Sequence, residues 1–241
     1  MYFLEFSFLF MSGSMLGWVL ELIYRNVIAR EAHGKKWINP GFLTGPYVPL
    51  YGFGLCILFL LSDMPVGVQS RFLCDIIHVL VMSAAMTLIE YIAGLIFIKG
   101  MKVKLWDYSK NRGNIRGIIC PLFSFFWTVL AAIYYFFVNP SVSSSILWFT
   151  DNIWFSYFVG MFTGIFILDF SASLNLMTKI RSWAKENNVV ILTEEFKRHV
   201  FEFKEDHHIG GKFIFPMTGL GSVRDRLEEY IDKVISKRDK Q

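Results

Sequence analysis

Long apolar runs, broken at intervals by short charged stretches, dominate the first 177 positions of the chain. Crossing the hydrocarbon layer of a bilayer as a helix takes about 20 mostly apolar residues. Five runs meet that length: Tyr2–Ile28, Gly41–Leu61, Phe72–Ile98, Ile118–Val138 and Ile153–Leu176, the second broken by Gly45-Pro46 and Pro49. Beyond Thr178 the pattern changes to dense charge with apolar residues at helical spacing. There Thr193 is placed to cap a helix with Glu194 and Glu195 in its first turn and Phe196, Val200 and Phe203 as its stripe. Ser222 is placed to cap another, with Val223, Leu227, Tyr230, Ile231 and Val234 as its stripe. The expected fold is all-α. Residues 1–177 form a polytopic helical membrane domain of about five transmembrane helices, and residues 178–241 a cytoplasmic helical tail.

Composition supports the membrane reading. Hydrophobic residues make up 54% of the chain and charged residues 18%, against about 45–50% and 25% in soluble domains. An ordinary soluble enzyme, a disordered chain and a disulfide-stapled module are excluded. Cys56, Cys74 and Cys120 are an odd, scattered set with no disulfide or metal spacing. The first run carries Glu5 instead of a basic start, so a cleavable leader is not expected.

The placement of charge gives an orientation. Arg25, Arg30, Lys35 and Lys36 lie in the first loop, and Lys99, Lys102, Lys104, Lys110, Arg112 and Arg116 in the third; only Arg71 lies on the other side. Basic loops stay cytoplasmic. The expected arrangement is multi-pass in a plasma membrane with the N-terminus outside and the C-terminus in the cytoplasm. In the tail, 13 basic residues are nearly matched by 11 acids, so nucleic acid is not an expected partner.

An internal duplication is expected over residues 2–61 and 72–138. Glu21 precedes Trp37 by 16 residues, as Glu90 precedes Trp106. Asn39-Pro40-Gly41-Phe42-Leu43-Thr44-Gly45 and Asn111-Arg112-Gly113-Asn114-Ile115-Arg116-Gly117 share N-x-G-x-[LI]-x-G, and Pro49-Leu50-Tyr51 then matches Pro121-Leu122-Phe123. Each copy reads as helix, loop and returning helix, which makes the two parallel repeats.

An acid within a membrane helix needs a partner or a task. Gly13, Gly17, Glu21 and Tyr24 share one helix face, and Ser83, Thr87, Glu90 and Gly94 another. Small neighbours turn both glutamates into the bundle, either as a ligand or proton site or as clamps on loop groups. Asp169 reads as structural. The loop residues Asn39, Asn111 and Arg112, with Trp106, Asp107 and Tyr108, are the other candidates, because glycine turns beside arginine can hold a phosphate or lipid head group. Gly13/Gly17 and Gly160/Gly164 read as packing pairs. Asp75 with His78 is a weak metal or relay spacing, and His207-His208 a surface cluster. Neither a metal nor a cofactor is expected, and no catalytic residue is assigned.

Ser14-x-x-Gly17-Trp18-x-x-Glu21-x-x-Tyr24, Asn39-x-Gly41-Phe42-Leu43-x-Gly45-Pro46-x-x-Pro49-x-Tyr51-Gly52, Glu90-Tyr91, Trp106-Asp107-Tyr108-Ser109, Asn114-Ile115 and Gly117-x-Ile119-Cys120 together resemble the ABC-transporter type IV family. The resemblance covers residues 12–130, with two departures: Pro40 where Arg is expected, and Pro121, which is expected to interrupt the helix start after Cys120. It implies a bacterial inner-membrane, permease-like or transport-associated subunit. Such a subunit borrows a separate ATPase, or another protein subunit, through its cytoplasmic loops or tail. The alternatives are an intramembrane enzyme or head-group-binding protein using Glu21, Glu90 and the Arg112 loop, and a scaffold whose tail recruits a partner.

Overall fold

The computed structural model describes residues 2–25, 39–186, 190–206 and 229–230. Seven α-helices occupy most of these: α1 (Tyr2–Ile23), α2 (Pro49–Ser62), α3 (Arg71–Leu95), α4 (Pro121–Ile133), α5 (Asn139–Asp151), α6 (Ser156–Glu186) and α7 (Thr193–Asp206). Strands β1 (Val103–Lys104) and β2 (Ile191–Leu192) pair in parallel. Four helical stretches are long and apolar enough to cross a membrane: Tyr2–Ile23, Arg71–Met101, Pro121–Asp151 and Ile153–Glu186.

Several boundaries differ from expectation, each for a local reason. The second run is helical only from Pro49 to Ser62, 14 residues or about 21 Å, short of the roughly 30 Å hydrocarbon thickness. Proline suits a first helical position because its φ is preset and its missing N–H is not needed there. Pro121 likewise begins α4 instead of interrupting it; the residues ahead of the two prolines, Val48 and Cys120, are both extended. The stretch Asn139–Asn152, which the expected spans leave as a loop between Val138 and Ile153, is helical as α5, joined to α4 by a π-helical turn over Tyr134–Val138. The last long helix continues past Leu176 to Glu186. Thr193 begins α7, but its buried hydroxyl has no hydrogen-bond partner among the described residues, so it is no cap. Trp37, the Ser222 helix start and His207-His208 lie outside the described residues.

Contacts divide the chain into two units. The first comprises Met1–Gly17, Tyr47–Ala93 and Asp107–Ile165, and the second Trp18–Pro46, Gly94–Trp106 and Phe166–Gln241. In the first, Leu58, Met82, Met86, Trp127, Ala131 and Tyr134 form a buried cluster. The start of α2 lies against the middle of α1: Val48 N–H donates to Ser14 O at 2.9 Å, and Gly17 makes room for Tyr51. A Cβ at Gly17 would stand 2.1 Å from the Tyr51 Cβ, whereas one at Gly164 meets nothing within 4 Å among the described residues. The first glycine pair therefore packs helices as expected, and Gly160/Gly164 does not. Gly17→Ala is expected to lose about 1–3 kcal/mol through overpacking, read as a lower melting temperature in detergent, while Gly164→Ala melts with the parent.

In the second unit α7 buries Phe196 and Val200, and Tyr230 stacks edge-on against Phe196 at 5.6 Å. The Tyr230 hydroxyl donates to Glu195 Oε2 at 3.2 Å. Burial, then the Glu195 charge, holds this phenol well above its ordinary value. A raised folded value means that the contact stabilises fully below the ordinary tyrosine pKa of about 10 and is lost as pH rises beyond it. Alkaline melting curves of the parent should fall faster above about pH 10 than those of Tyr230→Phe.

Candidate functional site

Two polar clusters hold the irregular segments of the chain, one in each unit. A non-helical backbone buried among membrane helices must have its N–H and C=O groups satisfied by protein, and the segment Asn39–Gly45 in the second unit meets that demand with side chains. Asn39, 1% exposed, accepts from Trp18 Nε1 at 2.6 Å through Oδ1. Its Nδ2 donates to the carbonyls of Leu43, Thr44 and Gly45 at 3.3, 2.9 and 3.3 Å. Asp169 takes the Gly45 N–H at 2.9 Å, and its two carboxylate oxygens lie 3.1 and 3.2 Å from the Thr44 N–H. The Thr44 and Ser173 hydroxyls add 2.5 and 3.2 Å bonds to Asp169 Oδ1. Lys197 of α7, 3% exposed, donates to Asn39 O at 3.2 Å and Gly41 O at 2.7 Å. Gly41, at φ 75, takes the left-handed turn that this path needs.

A small cavity borders this cluster, lined by Phe42, Thr44, Val103, Ser173, Thr193 and Lys197 among others. It has about 20 Å³ open to water-sized molecules, which suits one buried water and no organic substrate.

The first unit's cluster centres on Glu90, which is 3% exposed. Trp127 Nε1 donates to Glu90 Oε2 at 2.8 Å and the Tyr108 hydroxyl to Oε1 at 3.1 Å. The Tyr108 ring stacks on Phe123 at 4.1 Å, and its N–H donates to Gly117 O at 2.8 Å. Asn114 fastens the turn between: its Nδ2 donates to Ser109 O and Asn111 O at 3.1 and 2.8 Å, and its Oδ1 accepts from Gly117 N–H at 2.9 Å. Gly113, Arg116 and Gly117 all have left-handed φ, at 69, 56 and 68. The Arg112 and Arg116 side chains are left exposed.

The nine candidate residues therefore divide between the units. Glu21, Tyr24, Asn39 and Trp106 belong to the second, and Glu90, Asp107, Tyr108, Asn111 and Arg112 to the first. Glu21 pairs with Arg25 at 3.0 Å one helical turn away. Asp107 Oδ1 accepts from the Ser109 N–H at 3.1 Å, an ordinary turn closure, and Asn111 Nδ2 reaches Cys120 Sγ at 3.5 Å. Tyr24 and Trp106 are half-buried. Asp75 and His78 do not converge: Asp75 accepts from the Tyr135 hydroxyl, and the His78 ring nitrogens face the carbonyls of Cys74 and Met64. Among the described residues no three metal-ligating side chains gather.

Sequence reasoning missed Lys197 and undervalued Asn114. A lysine beside an apolar stripe looks like any solvated helix residue, so nothing in the sequence marked Lys197. Asn114 stands between two glycines in a turn, the position where an asparagine side chain closes backbone bonds, and that signal was present.

These helices, with buried polar side chains holding their loops, define a polytopic membrane protein. The sequence model of the family described as Putative ABC-transporter type IV matches residues 8–174, and the chain belongs to that family. No curated protein and no solved structure matches it. Family and apolar helices together fit a membrane protein associated with transport.

Proposed function

We propose that the chain is the permease-like membrane subunit of a bacterial inner-membrane transporter, without an ATPase of its own, and that a separate ATPase docks on the clamped Asp107–Gly117 loop, where Lys110, Arg112 and Arg116 are exposed. The observation that carries this reading is the fastening of that loop beneath its exposed basic residues. Asn114 closes its turn, and Tyr108 ties it to the buried Glu90. A loop that transmits force to a partner must be stiff, and a side-chain network supplies stiffness that a solvated loop lacks.

In this reading the N-terminus is outside, and the basic loops and the tail after Thr178 are cytoplasmic. The irregular, largely buried segment Asn39–Val48 and short α2 together make the second of five crossings. The two helix–loop–helix copies descend from a duplication, and each begins its returning helix at a proline, Pro49 or Pro121. Glu21 and Glu90 act as clamps rather than as a shared ligand site.

A second reading rests on the exposed Arg112 and Arg116 side chains beside three left-handed turn positions, a loop suited to a phosphate-bearing lipid head group.

The experiment is purification of the tagged chain from its native membrane in mild detergent, followed by an ATP hydrolysis assay on the eluate. The expected result is vanadate-sensitive hydrolysis that co-elutes with the chain and is lost when Lys110, Arg112 and Arg116 are changed to alanine. A folded chain that elutes without ATPase activity, carrying bound phospholipid that the same changes remove, would favour the second reading and overturn the first.

A further inference from the structure

We propose that α5 lies flat in the phospholipid head-group layer, on the face of the membrane opposite the Asp107–Gly117 loop that precedes α4, and that Trp148, Trp154 and Tyr157 anchor it there. The argument begins with two levels in the first unit. Tyr51 packs on Gly17 of α1 and lies 5.6 Å from the Trp127 ring of α4, which sets one level. Phe8 of α1 stacks on Phe149 of α5 at 4.9 Å with ring planes 3° apart, which sets the other. Along α1 the two levels are separated by about 14 Å, at 1.5 Å per residue, but the helical path from Trp127 to Phe149 is about 33 Å long. A straight rod cannot satisfy both distances, so the surplus length runs sideways.

The bend has identifiable causes. The π-helical turn Tyr134–Val138 interrupts the ordinary hydrogen-bond ladder, Pro140 follows it, and the Tyr134 hydroxyl donates to Asn139 Oδ1 at 3.0 Å across the junction. Val142 then packs on the cluster that holds Leu58 and Tyr134.

The faces of α5 decide its surroundings. Ile146 and Phe149 are buried, while Ser141, Ser144, Ser145 and Asp151 are exposed on the other side with Trp148. The Ser144 and Ser145 hydroxyls satisfy themselves on the carbonyls of Pro140 and Ser141, but the exposed Asp151 carboxylate does not face hydrocarbon without a partner. Just past the turn at Asn152, Trp154 is 61% and Tyr157 71% exposed. Rings with one polar edge, beside an amphipathic helix at the end of a span, fit the boundary between acyl chains and head groups. No lysine or arginine occurs between Arg116 and Lys179, so a zwitterionic lipid surface is sufficient.

The test is fluorescence of the full chain in phosphatidylcholine vesicles whose acyl chains carry bromine either near the head group or near the chain ends. The signal lost in Trp148→Phe and in Trp154→Phe is expected to be quenched at least twofold more by shallow bromine than by deep bromine. Equal or stronger quenching by deep bromine, or quenching by neither, would overturn the proposal. A second measurement covers variants that alter the ring packing. With a membrane-impermeant maleimide on both sides of the vesicle, Ser144→Cys is expected to label above the parent and the half-span residue Val129→Cys to remain at the parent level. Protection of Ser144→Cys equal to that of Val129→Cys would also overturn it.

Discussion

Lys197→Met is expected to melt well below the parent and to expose the Asn39–Gly45 segment to protease. Methionine keeps the length and apolar stem of the side chain, so packing against the neighbouring cavity wall is retained. What disappears is the ammonium that donates to Asn39 O and Gly41 O. Leaving a buried acceptor without its donor costs about 1–3 kcal/mol, so two of them should cost on the order of 2–6 kcal/mol together. The exposed neighbour provides the control: Arg198→Met should stay within about 0.5 kcal/mol of the parent. Thermal melting by size-exclusion chromatography in detergent reads both. A Lys197→Met chain that melts with the parent would show that α7 does not hold the loop.

Glu90→Leu is expected to collapse the folded yield, while Glu90→Gln folds nearly as the parent does. The glutamate receives the Trp127 N–H on one oxygen and the Tyr108 hydroxyl on the other. Leucine removes the acceptor that an indole N–H and a phenol both use, at about 1–3 kcal/mol each. Glutamine can accept from Trp127 with its oxygen and donate its amide to the Tyr108 oxygen, because a hydroxyl serves as either donor or acceptor. Glu21→Gln should matter less. Its partner Arg25 is one turn away and the pair is partly solvated, at 15% and 24% side-chain exposure, the setting in which ion pairs contribute about 1 kcal/mol or less. If Glu90→Gln fails to fold while Glu21→Gln does not, the Glu90 charge itself is required and the neutral-donor account is wrong.

The apolar runs were legible because lipid solvation demands them, and four of them became helices long enough to cross. The ends were harder to read. Pro49 and Pro121 looked like breaks, whereas proline at a first helical turn is a start. The Ser-rich stretch after Val138 looked like a loop because the sequence shows polarity but not that Ile146 and Phe149 would find a buried face. At the candidate site, Glu90 and Tyr108 meet in one cluster, and both carry signals that sequence can show: an acid in an apolar helix and a tyrosine in a glycine-bearing loop. Lys197 and Asp169 meet the Asn39 loop from 158 and 125 positions away. No local pattern announces such long-range pairings, because the carbonyls and amide N–H groups that they satisfy belong to the backbone.

The docking claim is tested most directly by placing a photo-cross-linking amino acid at Arg116 in cells that make the chain at its native level. The predicted result is one covalent adduct with a second polypeptide that binds ATP, formed at Arg116 and absent when the same group stands at Leu88 on the apolar face of α3. An Arg116 adduct that carries lipid alone, or none at all from a chain that folds as the parent does, would contradict it.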